Sequence, residues 1–230
     1  MSSDRNSEVM ALRLLRSGPM RTRDLEEAGV PRIVLSRMAA SGKIVRMGRG
    51  VYRSADGAYD PREVWAAIAK RVPEAVICLH SAASFHGMTQ DSAWRLCLAI
   101  PHESGLSPRI PEITTEVVRW RSRLSFDLGV ETHRIGGIDV RLTSPSRTLV
   151  DLFRTSTLNP SCRESAERTT PETFLDALFR YFDPDRSLEN MSELTRLAET
   201  FRVLDYVMPY VQTAHFAASA GYEHRERVAP

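Results

Sequence analysis

Residues 20 to 53, MRTRDLEEAGVPRIVLSRMAASGKIVRMGRGVYR, decide the predicted fold of the N-terminal region. Thr22 to Ala28 forms one short helical pattern, and a second begins at Pro31, after a glycine that ends the first. Two short β runs follow, over Ile44 to Arg46 and Val51 to Arg53, and a glycine-flanked turn joins them. Two short helices and a tight basic hairpin predict a winged helix-turn-helix.

Capping residues set the predicted helix boundaries. A first helix is predicted from Glu8 to Arg16, and its apolar side consists of Val9, Leu12 and Leu15. Thr22 is expected to cap the second helix with its hydroxyl. Pro31 is expected at the first position of the third helix, because its fixed φ suits that position and it forfeits no hydrogen bond there.

The third helix has two unlike sides. Apolar residues at helical spacing predict its core side, and these are Val34, Leu35, Met38 and Ala39. The opposite side presents Arg32, Ile33, Ser36 and Arg37. Such side chains can meet base edges or phosphates if the helix enters a major groove, and we expect Arg32 and Arg37 to read the sequence.

The hairpin that follows is basic. Arginines occur along it at Arg46, Arg49 and Arg53, and Lys43 stands just before it. An arginine at the tip of such a hairpin can lie along phosphates or reach into a narrow minor groove, where the negative potential is strongest. We therefore expect these four side chains to contact DNA.

The charge distribution favours the same interpretation. Residues 1 to 53 contain 11 lysines and arginines against 5 acidic residues, a net charge of +6, whereas the whole chain has a net charge of +2. The remainder of the chain therefore carries −4, and residues 156 to 230 alone hold 8 basic and 12 acidic residues. A basic N-terminal region joined to an acidic body is typical of a DNA-binding module fused to another domain.

A less specific interpretation has to be weighed. Arginines on a small domain are often only a solvated face, and winged helices also mediate protein contacts. The short turn, the polar outer side of the third helix, the basic hairpin and the local charge excess all agree, and this agreement favours DNA binding.

The middle of the chain predicts a mixed α/β domain. A helix is expected over Arg62 to Arg71, a buried strand over Ala75 to Leu79 and a short helix over His80 to Gly87. Further strands are expected over Leu96 to Ile100 and Glu116 to Trp120. Gly136 and Gly137 predict the two-residue turn of a β-hairpin, and Ser144 and Pro145 predict the start of a helix running to about Arg154.

The last third of the chain predicts helices. One is expected over Pro171 to Tyr181 with Phe174, Leu175, Leu178 and Phe179 on its apolar side. Others are expected over Ser187 to Phe201 and Val203 to His215, the latter kinked near Pro209. Thr155 to Thr170 is expected to be a loop.

The predicted fold class is therefore α+β. It comprises a winged helix-turn-helix over residues 1 to 55, a mixed α/β domain over 60 to 155 and a helical subdomain over 171 to 216. A disordered tail is expected over 217 to 230.

Arg147 and Asp151 stand out within the predicted helix after the hairpin. They are spaced i, i+4, and Arg147 falls in the first turn, where the helix dipole disfavours a cation. Either the two residues form a local salt bridge, which contributes little if it is exposed, or they dock another domain or a partner. We favour the structural role.

Nothing in the sequence assembles into a catalytic or metal site. His80 and His86 are six residues apart, with no cysteine or paired carboxylate nearby, so we expect structural histidines. The only lysines, Lys43 and Lys70, lack the acidic residue two positions earlier that is common in metal-dependent nucleases. We therefore expect a non-enzyme without metal or cofactor.

The three cysteines, Cys78, Cys97 and Cys162, fit neither a disulfide framework nor a zinc site, and we expect reduced, buried thiols. The chain lacks a signal peptide pattern and a long apolar run, so no membrane association is expected. We expect a cytoplasmic protein.

Several segments together resemble a known family. GVPRIVLSRMAASGKIVRMGRGVYR, AVICLHSAASFHGM, LCLAIP and GIDVRLTSPSRTLVDLFR occur in this order, and the strongest motifs are RGVYR and SRTLVDL. Over about residues 8 to 154 the chain is similar to the AbiEi-type antitoxins of bacterial abortive-infection (type IV) toxin-antitoxin systems.

The resemblance implies a function in phage defence. Members of the family repress their own operon by binding inverted repeats in double-stranded DNA through an N-terminal winged helix. Their C-terminal domain antagonises a co-encoded nucleotidyltransferase toxin, directly or indirectly. By this resemblance, the operator contacts would be Arg32, Ser36, Arg37, Lys43, Arg46 and Arg49.

A second class of function stays open. A stand-alone winged-helix regulator, whose body senses a ligand or dimerises, would give a similar sequence. A neighbouring reading frame that encodes a nucleotidyltransferase would distinguish the antitoxin from this alternative.

Overall fold

Helices and β strands both occur throughout the part of the chain that the computed structural model describes, which is residues 2–48, 50–56, 62–89, 95–105, 114–158, 170–185 and 188–220. The fold is a mixed α+β arrangement, as predicted. By its internal contacts the chain divides into two compact units. The first contains Met1–Ala75, Ile100–Thr115 and Thr132–Arg141, and the second contains Val76–Ala99, Glu116–Glu131 and Leu142–Pro230.

The first unit begins with helices and a small antiparallel sheet. Its first elements are α1 (Ser2–Leu15), β1 (Met20–Arg21), α2 (Thr22–Glu27), α3 (Arg32–Ala40), β2 (Ile44–Gly48) and β3 (Val51–Ser54). The strand order is β1-β3-β2, and Met20 lies opposite Tyr52 while Ile44 lies opposite Ser54. This helix and strand arrangement fits a winged helix-turn-helix.

An apolar core joins α1, α2, α3 and the sheet. It consists of Ala11, Leu15, Leu25, Val30, Val34, Leu35, Met38, Ile44 and Tyr52. The prediction for α1 was wrong in two respects. The helix begins at Ser2 rather than Glu8, and Val9 is 64% exposed. Leu15 is buried, as predicted, together with Ala11 one turn earlier, while Leu12 is partly buried.

Glycine ends α2 and α3, as the sequence predicted. Gly29 has φ 87° and Gly42 has φ 72°, the left-handed conformation that glycine adopts without a steric penalty after a helix. The predicted N-caps differ. Arg21 precedes α2 with no side-chain cap, and the Thr22 N–H donates to the Gly50 carbonyl at 2.8 Å. Pro31 lies just before α3 rather than in its first position.

Helix α4 (Glu63–Arg71) also belongs to the first unit. Val64, Trp65 and Ile68 are buried on it, as their spacing predicted. The first unit thus extends beyond residue 60, where the sequence placed the start of a second domain.

The remaining described elements form a five-stranded sheet and a set of helices. They are β4 (Val76–Ile77), α5 (Leu79–Phe85), β5 (Arg95–Pro101), β6 (Thr114–Trp120), α6 (Leu124–Asp127), β7 (Val130–Ile135), β8 (Ile138–Thr143), α7 (Pro145–Phe153), a π-helical turn (Arg154–Leu158), α8 (Pro171–Tyr181), α9 (Met191–Thr200) and α10 (Leu204–Ser219). The strand order is β6-β5-β4-β8-β7.

The hairpin and the helix after it match the sequence prediction. Gly136 and Gly137 have φ 54° and 73°, the left-handed pair that a type I′ turn requires. Helix α7 starts at Pro145, and the Ser144 hydroxyl accepts a hydrogen bond from the Arg147 N–H at 3.2 Å.

Other boundaries were misplaced. Leu79 begins α5 with φ 51°, so the predicted strand over Ala75 to Leu79 is reduced to Val76–Ile77. A π-helical turn occupies the start of the predicted loop after residue 154, whereas residues 159 to 169 lie outside the described part.

The C-terminal helices also depart from prediction in detail. In α8, Leu175 and Phe179 are more than one-third exposed, while Ala177 and Tyr181 are buried beside Phe174 and Leu178. The predicted helix over Ser187 to Phe201 begins only at Met191. Helix α10 continues to Ser219, so residues 217 to 219 are helical, and residues 221 to 230 of the predicted tail are not described.

Helix α7 lies at the centre of the second unit. It contacts α5, α8 and α9, and every residue from Ser146 to Phe153 is buried. Several of its polar groups form hydrogen bonds. Ser146 hydrogen-bonds the Tyr181 hydroxyl at 2.9 Å, and that hydroxyl accepts the Asn190 N–H at 2.7 Å. Burial raises the pKa of Tyr181 above its ordinary value.

Two of the three cysteines lie in this core. Cys78 and Cys97 are free and buried, as predicted, and burial raises the pKa of both thiols. Both are therefore kept as neutral thiols. Cys162 lies outside the described residues. Among those residues, no helix combines the length and apolar content that crossing a membrane would take.

Gly129 is predicted to be intolerant of a side chain. Its φ is 62°, and a Cβ there would lie 2.7 Å from the Arg147 Cβ. Gly42 has φ 72° but nothing within 4 Å of the same position. Gly42→Ala should therefore lower the free energy of unfolding by about 1 to 2 kcal/mol through backbone strain alone. Gly129→Ala should lose this amount of stability and about 1 to 3 kcal/mol more, because the added Cβ overpacks the core. Urea unfolding followed by circular dichroism would measure both, and equal losses would contradict the predicted clash.

Candidate nucleic-acid interface

The connection between α2 and α3 sets the direction of α3. The Gly29 N–H bonds to the Glu26 carbonyl and the Val30 N–H bonds to the Leu25 carbonyl, both at 2.9 Å. Val30 is then fully buried, which anchors the turn in the core. Only residues 28 to 31 separate the two helices, and this short connection is characteristic of a helix-turn-helix.

The predicted division of α3 is confirmed by its burial. Val34, Leu35 and Met38 are at most 2% exposed, while Ala39 is only partly buried. The opposite side is exposed to solvent, and it consists of Arg32, Ile33, Ser36 and Arg37. Ile33 is 59% exposed, so this side combines an apolar side chain with hydrogen-bond donors. Such a combination suits the major groove, where thymine methyl groups lie among polar base edges.

Lys43 and the β2–β3 hairpin continue from this helix. The Lys43 N–H bonds to the Met38 carbonyl at 2.9 Å, so the side chain projects just after α3 ends. Arg46 is exposed on β2, close to a β-bulge between Arg46 and Gly48. Arg49, predicted at the hairpin tip, lies outside the described residues.

Arg53 does not share this exposure. Its side chain is 16% exposed, and its Nε lies 3.8 Å from the Glu63 carboxylate of α4. Its Nη1 donates to the Ser54 carbonyl at 2.9 Å. Arg53 is thus held more closely within the first unit than the exposed basic side chains, and its role as a DNA contact stays a prediction.

Acidic side chains accompany the exposed basic ones. Arg32 pairs with Glu26 at 2.8 Å and Arg37 with Asp4 at 2.8 Å, and Lys43 pairs with Glu8 at 2.5 Å. All three basic side chains remain at least 49% exposed. The sequence did not reveal these pairs. The spacing of Asp4 and Glu8, one helical turn apart, is a usable signal only if the helix begins before Glu8.

Arg147 and Asp151 lie in the second unit and are buried. Arg147 is 0% exposed, and its Nε donates to the Asp151 carboxylate at 2.9 Å. Its Nη1 donates to the carbonyls of Ser125 at 3.2 Å and Leu128 at 2.6 Å. The guanidinium therefore ties α7 to both ends of α6.

Aromatic rings cover the same guanidinium. Its Cζ lies 4.8 Å from the ring centre of Trp120 and 4.1 Å from that of Phe201. Nη2 is buried and has no hydrogen-bond acceptor in the described part of the chain. The negative faces of the rings partly compensate the positive charge in its place.

The Arg147 side chain has no exposed surface and its contacts lie within the second unit, which favours the structural role over docking to a partner. The structure also replaces the exposed local salt bridge considered in the sequence with a buried ion pair. The unfavourable position of the cation in the first turn is compensated by Asp151, the two carbonyls and the two rings.

The two histidines considered as metal ligands, His80 and His86, lie in different environments. His86 lies beside Phe85, and its Nε2 is 2.8 Å from the Thr143 carbonyl. His80 is partly buried in α5. Over the described ranges, no group of three or more His, Cys, Asp or Glu side chains is placed to hold a metal ion.

Comparison with protein families gives a match over the region that contains α3 and the β2–β3 hairpin. Residues 7–55 match the family described as "Transcriptional regulator, AbiEi antitoxin". The resemblance predicted from the sequence is confirmed over these residues, although not as far as residue 154. The family consists of regulators rather than enzymes, and the match supports a regulatory role.

Comparison with solved structures identifies a similar fold. The crystal structure of the RV2827C protein from Mycobacterium tuberculosis aligns with a TM-score of 0.59 at 14% sequence identity, over 94% of this chain and 81% of that one. At this identity the likeness shows the fold alone. No curated protein matches the chain.

The buried ion pair predicts a large loss of stability when one partner is neutralised. Asp151→Asn leaves the Arg147 charge buried without its anion, and we expect a loss of about 3 to 5 kcal/mol. Asp139→Asn is a matched control, since it breaks the Arg134–Asp139 pair, which is 69% and 64% exposed, and should cost about 1 kcal/mol or less.

A double variant tests whether the charge itself is responsible. Arg147→Met with Asp151→Leu removes both charges and should unfold at a higher urea concentration than Asp151→Asn alone. If Asp151→Asn were as mild as Asp139→Asn, the pair would not have the stabilising role described.

Proposed function

We propose that this protein is a DNA-binding autorepressor and antitoxin of a toxin-antitoxin operon. In this proposal the N-terminal region is a winged helix-turn-helix that binds inverted repeats in double-stranded operator DNA. The rest of the chain antagonises a co-encoded nucleotidyltransferase toxin, as in a type IV phage-defence system. The proposal places the protein in the cytoplasm and assigns it no catalytic activity and no cofactor.

One observation supports this proposal most strongly. The residues that match the AbiEi family, 7–55, are those that contain α3 with its exposed polar side and the basic hairpin. The family match concerns the sequence, and the exposed surface is given by which side chains of α3 and the hairpin are buried. Their agreement favours a DNA-binding regulator over a solvated basic face.

The side chains of α3 suit direct readout of bases. An arginine can donate two hydrogen bonds to guanine, and Arg32 and Arg37 both stand on the exposed side of the helix. Ile33 could contact a thymine methyl group, and Ser36 could bond to several base edges. These four side chains would therefore determine the operator sequence.

Lys43 and Arg46 suit the phosphate backbone instead. They lie beyond α3, at the start of the hairpin and along β2, where a wing would follow the DNA strand. Contacts with phosphate position the protein but carry no sequence information. Arg49 is proposed for the same role from its place in the sequence.

The antitoxin activity is supported by the family match and by the acidic composition of the later residues. Residues 156 to 230 carry a net charge of −4, which separates them chemically from the basic N-terminal region. We assign the activity to the chain beyond residue 60 without specifying whether it contacts the toxin.

A stand-alone regulator is the second candidate. The family match ends at residue 55, and the likeness over most of the chain has only 14% identity. A body that senses a ligand or dimerises is compatible with both observations.

Binding measurements on variants would test the DNA-binding role. We expect the wild type to prefer a duplex from upstream of its own reading frame over a scrambled duplex. Arg32→Ala or Arg37→Ala should reduce this preference by about 5- to 150-fold, the range for loss of a base-specific arginine contact. Lys43→Ala or Arg46→Ala should weaken binding to both duplexes equally and lower the salt slope by about 0.9 each.

Arg134→Ala provides the control. This arginine is exposed and belongs to the first unit, but it lies on β7 rather than on α3 or the β2–β3 hairpin. The substitution should leave affinity and preference unchanged. Binding of the wild type that does not respond to salt, or losses equal to those of Arg134→Ala, would refute the proposed interface.

Co-expression would test the antitoxin role. The full chain with Arg32→Ala and Arg37→Ala, expressed from an unrelated promoter, should still restore growth when a nucleotidyltransferase from the adjacent reading frame is induced. The full chain is appropriate because the first unit continues past residue 60 to Ala75. Failure of both the wild type and this variant to restore growth would favour the stand-alone regulator.

A further inference from the structure

Two acidic residues in the first turns of α1 pair with two of the basic side chains that we propose contact DNA. Asp4 Oδ2 accepts a hydrogen bond from Arg37 Nη1 at 2.8 Å, and Glu8 Oε2 accepts one from Lys43 Nζ at 2.5 Å. Asp4 and Glu8 are one helical turn apart, so their carboxylates lie on the same side of α1. Their partners are Arg37, near the end of α3, and Lys43, three residues after that helix ends.

Packing keeps these carboxylates in place. Helix α1 contacts α3, and Ala11 and Leu15 share the apolar core with Leu35 and Met38. The partners are 33 and 35 residues apart in sequence, so the pairs depend on this tertiary contact. By contrast, Arg23 and Glu27 pair within a single helix at i, i+4.

Both pairs are open to exchange with an external anion. The side chains of Arg37 and Asp4 are 59% and 50% exposed, and those of Lys43 and Glu8 are 49% and 30% exposed. Ion pairs at such sites contribute little and are weakened by salt. A DNA phosphate or base edge can therefore displace the carboxylates, but it has to break both pairs to do so.

We propose that Asp4 and Glu8 form an intramolecular acidic competitor that occupies Arg37 and Lys43 in the free protein and lowers affinity for DNA. This inference rests on the proposed DNA-binding function and adds a regulatory element within it. DNA binding then involves exchange of two carboxylates for groups on the duplex. The displaced carboxylates are left near the DNA backbone, where they repel it.

The exchange has a distinct salt dependence. Release of cations from DNA favours protein binding at low salt. Asp4 and Glu8 oppose binding because they pair with Arg37 and Lys43, the side chains that would otherwise contact the DNA. Neutralising the acids should therefore increase affinity most at low salt and make affinity fall more steeply as salt rises. At high salt, where exposed ion pairs are screened, the difference should shrink.

The test uses the full chain and a pool of random-sequence 30-base-pair duplexes. Asp4→Asn with Glu8→Gln should tighten binding at low salt by about 5- to 30-fold, the range for loss of two exposed ion pairs and the accompanying repulsion. Each single variant should give part of this gain. The slope of log affinity against log salt should become steeper.

The matched control is Asp139→Asn with Asp176→Asn. It changes the net charge by the same amount and likewise removes the partners of two arginines, Arg134 on β7 and Arg180 on α8. The control should shift affinity far less than the α1 variant. Thermal unfolding of each variant would show whether α1 stays packed. We expect that it does, because the substitutions leave its core residues Ala11 and Leu15 unchanged.

The outcomes separate the two claims. If the wild type binds the duplex pool and the α1 variant binds no more tightly than the control, the competitor is refuted while DNA binding stands. If the α1 variant binds more weakly, the carboxylates orient the basic side chains for DNA, and the competitor is again refuted. If no variant binds any duplex, the proposed DNA-binding function itself fails.

Discussion

The Arg147 guanidinium is the constraint on which the second unit depends. A cation without exposed surface must be compensated by protein groups, since no water reaches it. Its compensation comes from Asp151 on the same helix, from carbonyls at both ends of α6, and from the rings of Trp120 and Phe201. These groups belong to segments far apart in the chain, so the cation can be accommodated only when all of them are assembled. The SRTLVDL motif is thus explained by what its two charged residues do inside the fold.

Charged side chains on α1, on α3 and just after α3 have the opposite character. There the ion pairs lie at the surface, where water and salt reduce their contribution to stability. A pair that contributes little to folding is also easily exchanged, and exchange is what binding to DNA phosphate requires. The same residue type is therefore a permanent internal support at Arg147, whereas at Arg37 it forms an exposed ion pair that DNA would replace in the proposed function. Burial decides which role an arginine has.

Turn residues and helical spacing in the sequence located most helices and strands. They did not reveal contacts between side chains that are distant in sequence. Glycines with positive φ ended α2 and α3 and formed the turn of the β7–β8 hairpin, because these conformations are steric properties of the backbone. Helical spacing also identified the buried side of α3. The start of α1 was missed because its first turns carry few apolar residues, and with it the partners of Arg37 and Lys43. Charge alone predicted Arg53 as a DNA contact, and the sequence did not reveal that the Glu63 carboxylate of α4 lies 3.8 Å from it.

The sequence by itself determined the class of the fold, the positions of its turns and the basic character of the first 53 residues, since these follow from backbone sterics, periodicity and charge. It also contained the AbiEi resemblance, which the family match supports for residues 7–55. Tertiary structure alone decided which charges are buried and which acidic and basic side chains pair across distant parts of the sequence. Residues 4 and 37 become neighbours only through packing of α1 on α3, and no local pattern encodes a contact between side chains 33 positions apart.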